Sequence, residues 1–399
     1  MLSIFGVPFE FALFALTLFG VALFHRFTLP IALGGLIAIA TYKLILTGFN
    51  TGPGLLGLLR HFEHEWVTFA NLFALLLGFA LLARHFEESH LPAVLPRYLP
   101  DGWRGGFTLL VLIFVMSSFL DNIAAALIGG AMAHTLFRAR VSVGYLAAIV
   151  AASNAGGSGS VVGDTTTTMM WIAGVAPSQI FHAYVAAVVA LIVFGIPASF
   201  QQDRFAPITR DEQAHQPVDW ARIGVVVFVL VAAMGTNIVV NSRFTEIADA
   251  FPFIGFAVAA SLALGTLVRK PDWSVLPASI KGSVFLLSLV GCASLMPVEA
   301  LPPASWHSAF ALGFVSAVFD NIPLTALALK QGGYDWGMLA YCVGFGGSMI
   351  WFGSSAGVAI TSLFPEAKST GTWLKQGWHV PVAYVIGFAA LMLTLGWRA

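Results

Sequence analysis

Charge is what this sequence has least of. Only 10% of its 399 residues are Asp, Glu, Lys or Arg, while 58% are hydrophobic, and soluble domains carry roughly 25% charged residues. A water-soluble fold is therefore excluded. An excess of either sign is also missing: Lys plus Arg and Asp plus Glu number 19 each, and no long run of like charge points to nucleic acid or to an acidic partner. Cysteine is nearly absent. Cys292 and Cys342 sit in apolar stretches with no second thiol or His at metal-ligand spacing, which argues for buried, inert thiols and leaves the redox compartment open. The stretch from Met1 to Phe24 lacks a basic n-region and a small-residue cleavage site, and Glu10 interrupts its apolar run. It is expected to stay as a first helix.

What is present is a series of apolar segments, near 8–24, 28–48, 67–83, 106–137, 143–174, 180–199, 221–241, 251–268, 280–297, 306–329, 336–362 and 379–397. Several meet the need for ~20 nearly uncharged residues to cross a bilayer. The expected class is an all-α polytopic membrane protein. The basic connections Arg84–Arg104, Arg138–Arg140 and Asp203–Arg222 are candidates for the cytoplasmic side.

An internal repeat organises the chain. Ser117-Ser118-Phe119-Leu120-Asp121-Asn122-Ile123 matches Ser316-Ala317-Val318-Phe319-Asp320-Asn321-Ile322, 199 positions later. Gly156-Gly157-Ser158 through Gly163-Asp164-Thr165 then matches Gly346-Gly347-Ser348 through Gly353-Ser354-Ser355. Asp121 lies 35 positions before Gly156, and Asp320 lies 26 before Gly346, so the second copy is nine residues shorter. A deletion in the basic loop around Arg138–Gly144 is the expected reason. The resulting division is N-terminal helices over 1–60, repeat 1 over 61–200, an inter-repeat loop over 201–222 and repeat 2 over 223–399. Duplicated halves with helix breakers at matching places suggest an inverted pair with a binding site between them, as in secondary transporters.

Chemistry concentrates at those breakers. An acid inside a membrane costs ~2.5–3.5 kcal/mol even on lenient scales, so Asp121 and Asp320 need compensation. Ser117 and Ser316, four residues earlier, are expected on the same helical face as the acids. Asn122 and Asn321 add amides alongside. Pro323 biases Ile322 away from helical dihedrals, so the break is expected there. Permanent protonation of each Asp is the bland alternative, and its occurrence twice counts against it. The stretch Ser153–Thr168 is rich in Gly, Ser and Thr, and irregular backbone survives at membrane depth only around a protein or water-lined path. An unwound tip over this whole stretch is expected, with glycine-mediated helix packing as the alternative.

No Lys, Arg or His lies between Val141 and Phe181, around Asp164, nor between Lys330 and Glu366. Three acids among hydroxyls, amides and carbonyls suit a hard cation or a proton. Burial and clustering favour the neutral form of a carboxylate, and a carboxyl oxygen that holds a proton cannot hold a metal ion. That competition is the chemistry of cation/proton exchange. Weaker candidates are Glu10, the crowded His61, Glu63, His64 and Glu65, where a wet turn is expected, Lys43, which should snorkel, and Glu299 in a loop. The His61–Glu65 stretch lacks the His-Glu-x-x-His spacing of zinc hydrolases.

Ser-Asn-Ala-Gly-Gly at 153–157, Gly-Asp-Thr-Thr-Thr-Thr at 163–168, Asp-Asn-Ile-Pro at 320–323 and Gly-Ser-Ser-Ala-Gly-Val at 353–358 together resemble NhaD-type sodium/proton antiporters. These belong to the ion transporter superfamily of citrate and dicarboxylate carriers and arsenite pumps. The likeness runs from about Arg60 to the C-terminus. It implies two inverted repeats, each with a re-entrant hairpin and an unwound helix, in a homodimer in the cell inner membrane. By position it points to Asp121, Asn122, Asn154, Asp164, Thr166, Thr167, Asp320, Asn321 and Ser355 as the ion- and proton-binding set. Ser117, Ser153, Ser158, Ser316, Ser348 and Ser354 would support it, and His61 with Glu65 resembles a His and acid before the third helix, a possible pH sensor. Ser-Asn-Ala departs from the Ser-Asn-Thr of carboxylate carriers.

The expected function is exchange of Na⁺ or Li⁺ for H⁺, with Na⁺ at Asp121, Asp164 and Asp320 and no cofactor beyond the transported ions. A Na⁺-coupled citrate or dicarboxylate carrier is the alternative. An intramembrane aspartyl hydrolase is disfavoured because Val161 stands where a further glycine is needed, so no enzymatic activity is expected.

Overall fold

A computed structural model of the chain describes residues 3–4, 7–24, 27–94, 98–208, 217–244, 247 and 250–398. Two short strands, β1 (Ser3–Ile4) and β2 (Val7–Pro8), pair antiparallel, a small departure from the all-α expectation. Helices follow. α1 (Phe9–Leu23) and α2 (Thr28–Tyr42) pack together, and α2 widens into a π turn at Lys43–Thr47. α3 (Gly54–Glu88) and the short α4 (Leu91–Val94) lead to α5 (Trp103–Ser117), α6 (Asn122–Leu136), α7 (Val143–Ser158), α8 (Thr165–Ile172), α9 (Pro177–Phe181) and α10 (Ala183–Phe205). After α11 (Trp220–Arg243), α12 (Phe253–Gly265) and α13 (Leu276–Ser294) the same order recurs: α14 (Trp306–Ser316), α15 (Asn321–Gln331), α16 (Trp336–Gly346), α17 (Ser355–Leu363), α18 (Thr370–Gln376) and α19 (His379–Thr394).

Among the described residues five helical segments are long and apolar enough to cross a membrane, and a sixth forms if α18 and α19, bent by 59°, count as one. Leu23, Leu267 and Leu393 face outward at 71%, 83% and 86% exposure. Such a surface aggregates in water and is the favourable one in lipid. The chain is a polytopic membrane protein.

The core is built around two helix pairs interrupted at the same place. α5 breaks at Ser118–Asp121 before α6, and α14 breaks at Ala317–Asp320 before α15. Pro323 does not make the second break. It lies in the first turn of α15, where a missing N–H costs nothing. The irregular tip is also shorter than expected: α7 stays helical through Ser158, and only residues 159–164 are irregular before α8.

Glycine explains why the helix pairs α7–α8 and α16–α17 fit against those breaks. A Cβ on Gly156 would drive into the carbonyl of Phe114, and one on Gly346 into that of Gly313. Gly163 and Gly353 likewise abut the carbonyls of Ser117 and Ala317. Ser117 Oγ donates to Ser153 O, and Ser316 Oγ donates to Val343 O at 2.7 Å. These serines therefore stitch α5 to α7 and α14 to α16 and do not serve the acids. The nine-residue difference is mostly helical: α15 has 11 residues against 15 in α6, and α16 reaches Gly346 in 11 residues where α7 takes 14 to reach Gly156. The second helix of each pair crosses to the other half: α17 packs on α6, and α8 packs on α15, while α7 stays on α5 and α16 on α14.

Several connections meet on one face, where Arg84 pairs with Asp272 at 2.9 Å, Arg222 with Glu88 at 2.7 Å and Arg269 with Asp219 at 2.8 Å. Ser142 N bonds Gln202 Oε1 there and Arg140 bonds Phe205 O. The connection expected over 201–222 starts inside α10 and ends inside α11, and residues 209–216 lie outside the described ones. Lys43 does not snorkel: it is 6% exposed and sits over the Phe49 ring. Cys292 and Cys342 are free and buried, as expected.

Two measurements test this reading. Gly156→Ala or Gly346→Ala should destabilise the protein in detergent by about 1–3 kcal/mol, the usual cost of overpacking, seen as a lower midpoint of thermal unfolding. Arg269 holds the Asp219 carboxyl below the ordinary carboxylate range, and the Ser274 hydroxyl, then Arg84, does the same for Asp272. Their contribution is complete above the ordinary carboxylate pKa of about 3.9 and is lost as pH falls through the lower folded values. Arg269→Gln should flatten that acid limb by lowering stability slightly at neutral pH, and leave it nearly unchanged at pH values below the folded carboxylate range.

Candidate functional site

Four helices begin at the centre of the molecule, and each start is capped by a polar side chain. Asp121 accepts from Ile123 N at 3.2 Å, Asp164 from Thr166 N at 3.0 Å, Asp320 from Ile322 N at 3.1 Å and Ser354 from Gly357 N at 3.2 Å. Asp and Ser are favoured N-caps because their oxygens satisfy otherwise orphaned N–H groups. The caps are joined by the asparagines. Asn321 Nδ2 lies 3.2 Å from Asp164 Oδ2, and Asn122 Nδ2 donates to Asn154 Oδ1 at 3.0 Å. Asn154 Nδ2 in turn donates to Ser348 Oγ at 2.9 Å and Ser354 Oγ at 3.1 Å. Ser355 Oγ donates to Asp320 Oδ2 at 2.9 Å.

Burial differs among the acids. Asp164 is 2% exposed, whereas Asp121 and Asp320 are only half-buried, so the expectation of two buried Asp-Asn pairs holds for the asparagines and not for their acids. A cavity of about 450 Å³ reaches Asp121, Asn122, Asp164, Thr165, Asn321 and Ser355. A second, of about 200 Å³, reaches Asp320, Ser354 and Ser355. None of the ion pairs among the described residues involves Asp121, Asp164 or Asp320. Among those residues no three His, Cys, Asp or Glu converge as metal ligands, so a cation at Asp164 would be held by one carboxylate with amide, hydroxyl and carbonyl oxygens.

Other candidates fall elsewhere. Ser153 and Ser158 bond back to Val150 O and Ala155 O of their own helix. Thr167 Oγ1 donates to Asp164 O, and the buried Thr166 Oγ1 has no hydrogen-bond partner. His61 and Glu65 lie one turn apart on α3, not in a turn, and His61 Nε2 is 3.0 Å from Ser294 Oγ. Glu299 is exposed in a 3-10 turn. Glu10 is fully buried, its carboxylate without a hydrogen-bond partner.

Sequence reasoning missed Gly344, which occupies on α16 the place of Asn154 on α7. A Cβ there would meet Ser158 Cβ at 3.2 Å and Asp164 Oδ2 at 3.4 Å. The repeat alignment held that signal, because subtracting two from Gly156 and from Gly346 gives Asn154 and Gly344. One half thus fills with an amide the volume that the other half leaves beside a carboxylate.

Acids and amides gathered at interrupted helices, in a helical membrane protein, are an arrangement that secondary transporters share. Comparison with known proteins agrees. Over 389 residues the chain is 28% identical to the Na⁺/H⁺ antiporter NhaD of Vibrio parahaemolyticus, covering 83% of this chain and 90% of that protein. It is 25% identical over 392 residues to NhaD of Alkalimonas amylolytica, covering 84% of this chain and 78% of that one. Sodium/proton antiporter 1 of Arabidopsis thaliana is 26% identical over 305 residues, 65% of this chain and 50% of the plant protein. No protein-family model matches the chain. The chain is thus similar to NhaD-type sodium/proton antiporters over most of its length.

Asn154→Ala should leave the Asn122 amide and the Ser348 and Ser354 hydroxyls short of a partner. Loss of about 1–3 kcal/mol is expected for an unsatisfied buried polar group, read as detergent stability, with Asn154→Asp intermediate.

Proposed function

We propose that the chain exchanges Na⁺ or Li⁺ for protons across a cell inner membrane, with Asp164 as the carboxylate for which cation and proton compete. The observation that carries this reading is Asp164 itself, buried among oxygen ligands with Asn321 as its side-chain partner and no ion pair. Asp121 and Asp320 lie close enough for their charges to act on it. A rough charge count supports a single monovalent ion. Four helix N-termini contribute about +0.5 each, and three ionised carboxylates contribute −3, leaving about −1.

The names of the relatives support sodium and protons as the ions. Asp121 and Asp320 are assigned to the same site, with Asn122, Asn154, Asn321, Thr166, Thr167 and Ser355 around it. The two halves are taken as inverted repeats carrying re-entrant hairpins, assembled as a homodimer, with the arginine-rich face in the cytoplasm by the positive-inside rule. His61 with Glu65 is retained as a candidate pH sensor. An organic-anion carrier fits less well, because the three acids would repel a dianion and no base offsets them.

Everted membrane vesicles with a pH-sensitive dye test the proposal. Addition of Na⁺ or Li⁺ should dissipate a respiration-generated proton gradient. Because proton and cation compete, the apparent KM for Na⁺ should rise as pH falls and approach a constant value at alkaline pH. Asp164→Asn should lower the exchange by at least about tenfold, equivalent to ~1.4 kcal/mol of transport barrier. A wild-type protein that moves no protons in response to either ion between about pH 7 and 9, a range that spans the titration of a carboxylate raised by burial, would refute it.

A further inference from the structure

The larger cavity is one-sided. It runs between Phe79 and Ala83 in the last turns of α3 and Ala278 and Gly282 in the first turns of α13, past Ala124 and Leu127 of α6. Those turns lead to Arg84, Glu88 and Asp272, so the opening lies towards the arginine-rich face. There α6 meets α3 only marginally, whereas its counterpart α15 lies along α13. Ile322 and Ala326 belong to the same apolar cluster as Leu289 and Val290. Nine residues at 1.5 Å each place Lys330 about 14 Å from Asn321, at the opposite face.

At that far end α15 is tied down. Lys330 Nζ donates to Ser294 O at 2.6 Å and to Met296 O, and the neighbouring Gln331 Nε2 donates to Pro302 O at 2.7 Å. Ser294 is the last residue of α13, so the ammonium caps the negative end of that helix. The matching place in the first half carries no lysine. Ten residues after Asp320 stands Lys330, and ten after Asp121 stands Ala131, which is exposed.

We propose that Lys330 is a positioning residue that latches α15 onto α13 and so closes the ion path on the face away from the arginines, this structure being the state open towards the arginine-rich face. Opening the other way separates α15 from α13 and brings α6 onto α3, with the ammonium released from the two carbonyls. The charges that then act on it are those already nearby, Glu65, Glu299 and Lys43, with His61 on the Ser294 hydroxyl. The acids take over from the carbonyls as its partners.

The inference rests on the transporter reading, but its test needs no ion movement. A cysteine at Ala326 reports the seam and one at Ala124 reports the cavity, with the native buried Cys292 and Cys342 as the blank. A membrane-impermeant maleimide is applied from either side to right-side-out and everted vesicles. In the parent, Ala124→Cys should label from the arginine-rich face and Ala326→Cys should be protected. Lys330→Met should speed labelling of Ala326→Cys from the opposite face by at least about tenfold, the response to a shift of ~1.4 kcal/mol between two states, while Lys330→Arg stays near the parent. Gln331→Leu, which leaves Lys330 in place, should shift labelling the same way to a smaller extent and serves if Lys330→Met does not fold. Unchanged labelling of Ala326→Cys in Lys330→Met, or in Gln331→Leu where that must serve, would overturn the latch. A chain that showed the labelling shift but exchanged no Na⁺ would overturn the antiport reading alone.

Discussion

A helix that starts inside an apolar medium exposes N–H groups that nothing in lipid can satisfy, at several kcal/mol each. The molecule depends on how four such starts are capped. Asp121, Asp164, Asp320 and Ser354 each give an oxygen to the backbone of the helix that follows. The same side chains that make the broken fold tolerable are therefore the ones that carry the chemistry. A substitution at any of the three acids removes a cap and a ligand together, so loss of transport in such variants needs a stability measurement beside it.

The two halves are alike in their scaffolding and unlike at the centre. Gly156 and Gly346 do the same packing work, as do Ser117 and Ser316. Asn154 and Gly344 do not, nor do Asp164 and Ser354. An amide reaching across to Ser354 in one half, and a bare backbone beside Asp164 in the other, turn a near-symmetric frame into a site with one dominant carboxylate.

Much of this was legible in the sequence. Low charge and long apolar runs gave the membrane class, and the doubled Asp-Asn motif located both breaks. Asn122 and Asn321 stood out in the doubled motif and Asp164 in the Gly-Thr-rich stretch, whereas Asn154 entered through the family resemblance. What was not legible depended on contacts between distant segments. Ser117 and Ser316 seemed to belong with their acids because i,i+4 spacing shares a face, yet the helix ends between them and each hydroxyl turns to α7 or α16. Gly156 and Gly157 suggested an unwound chain but stay helical, since their role is close approach to another backbone. Pro323 suggested a break and instead starts a helix, because a first turn needs no N–H from it. The half-burial of Asp121 and Asp320 comes from cavities that no local pattern encodes.

The crossing of α8 and α17 between halves bears on how the chain is made. Asp164 finds its side-chain partner Asn321 157 residues downstream, and α8 has no α15 to pack on until that segment is synthesised. During biogenesis the first half must enter the bilayer with its central acid unmatched. Protonation, water in the insertion machinery or a chaperone has to cover that interval, so assembly of the site is a late event in which the second half completes the first.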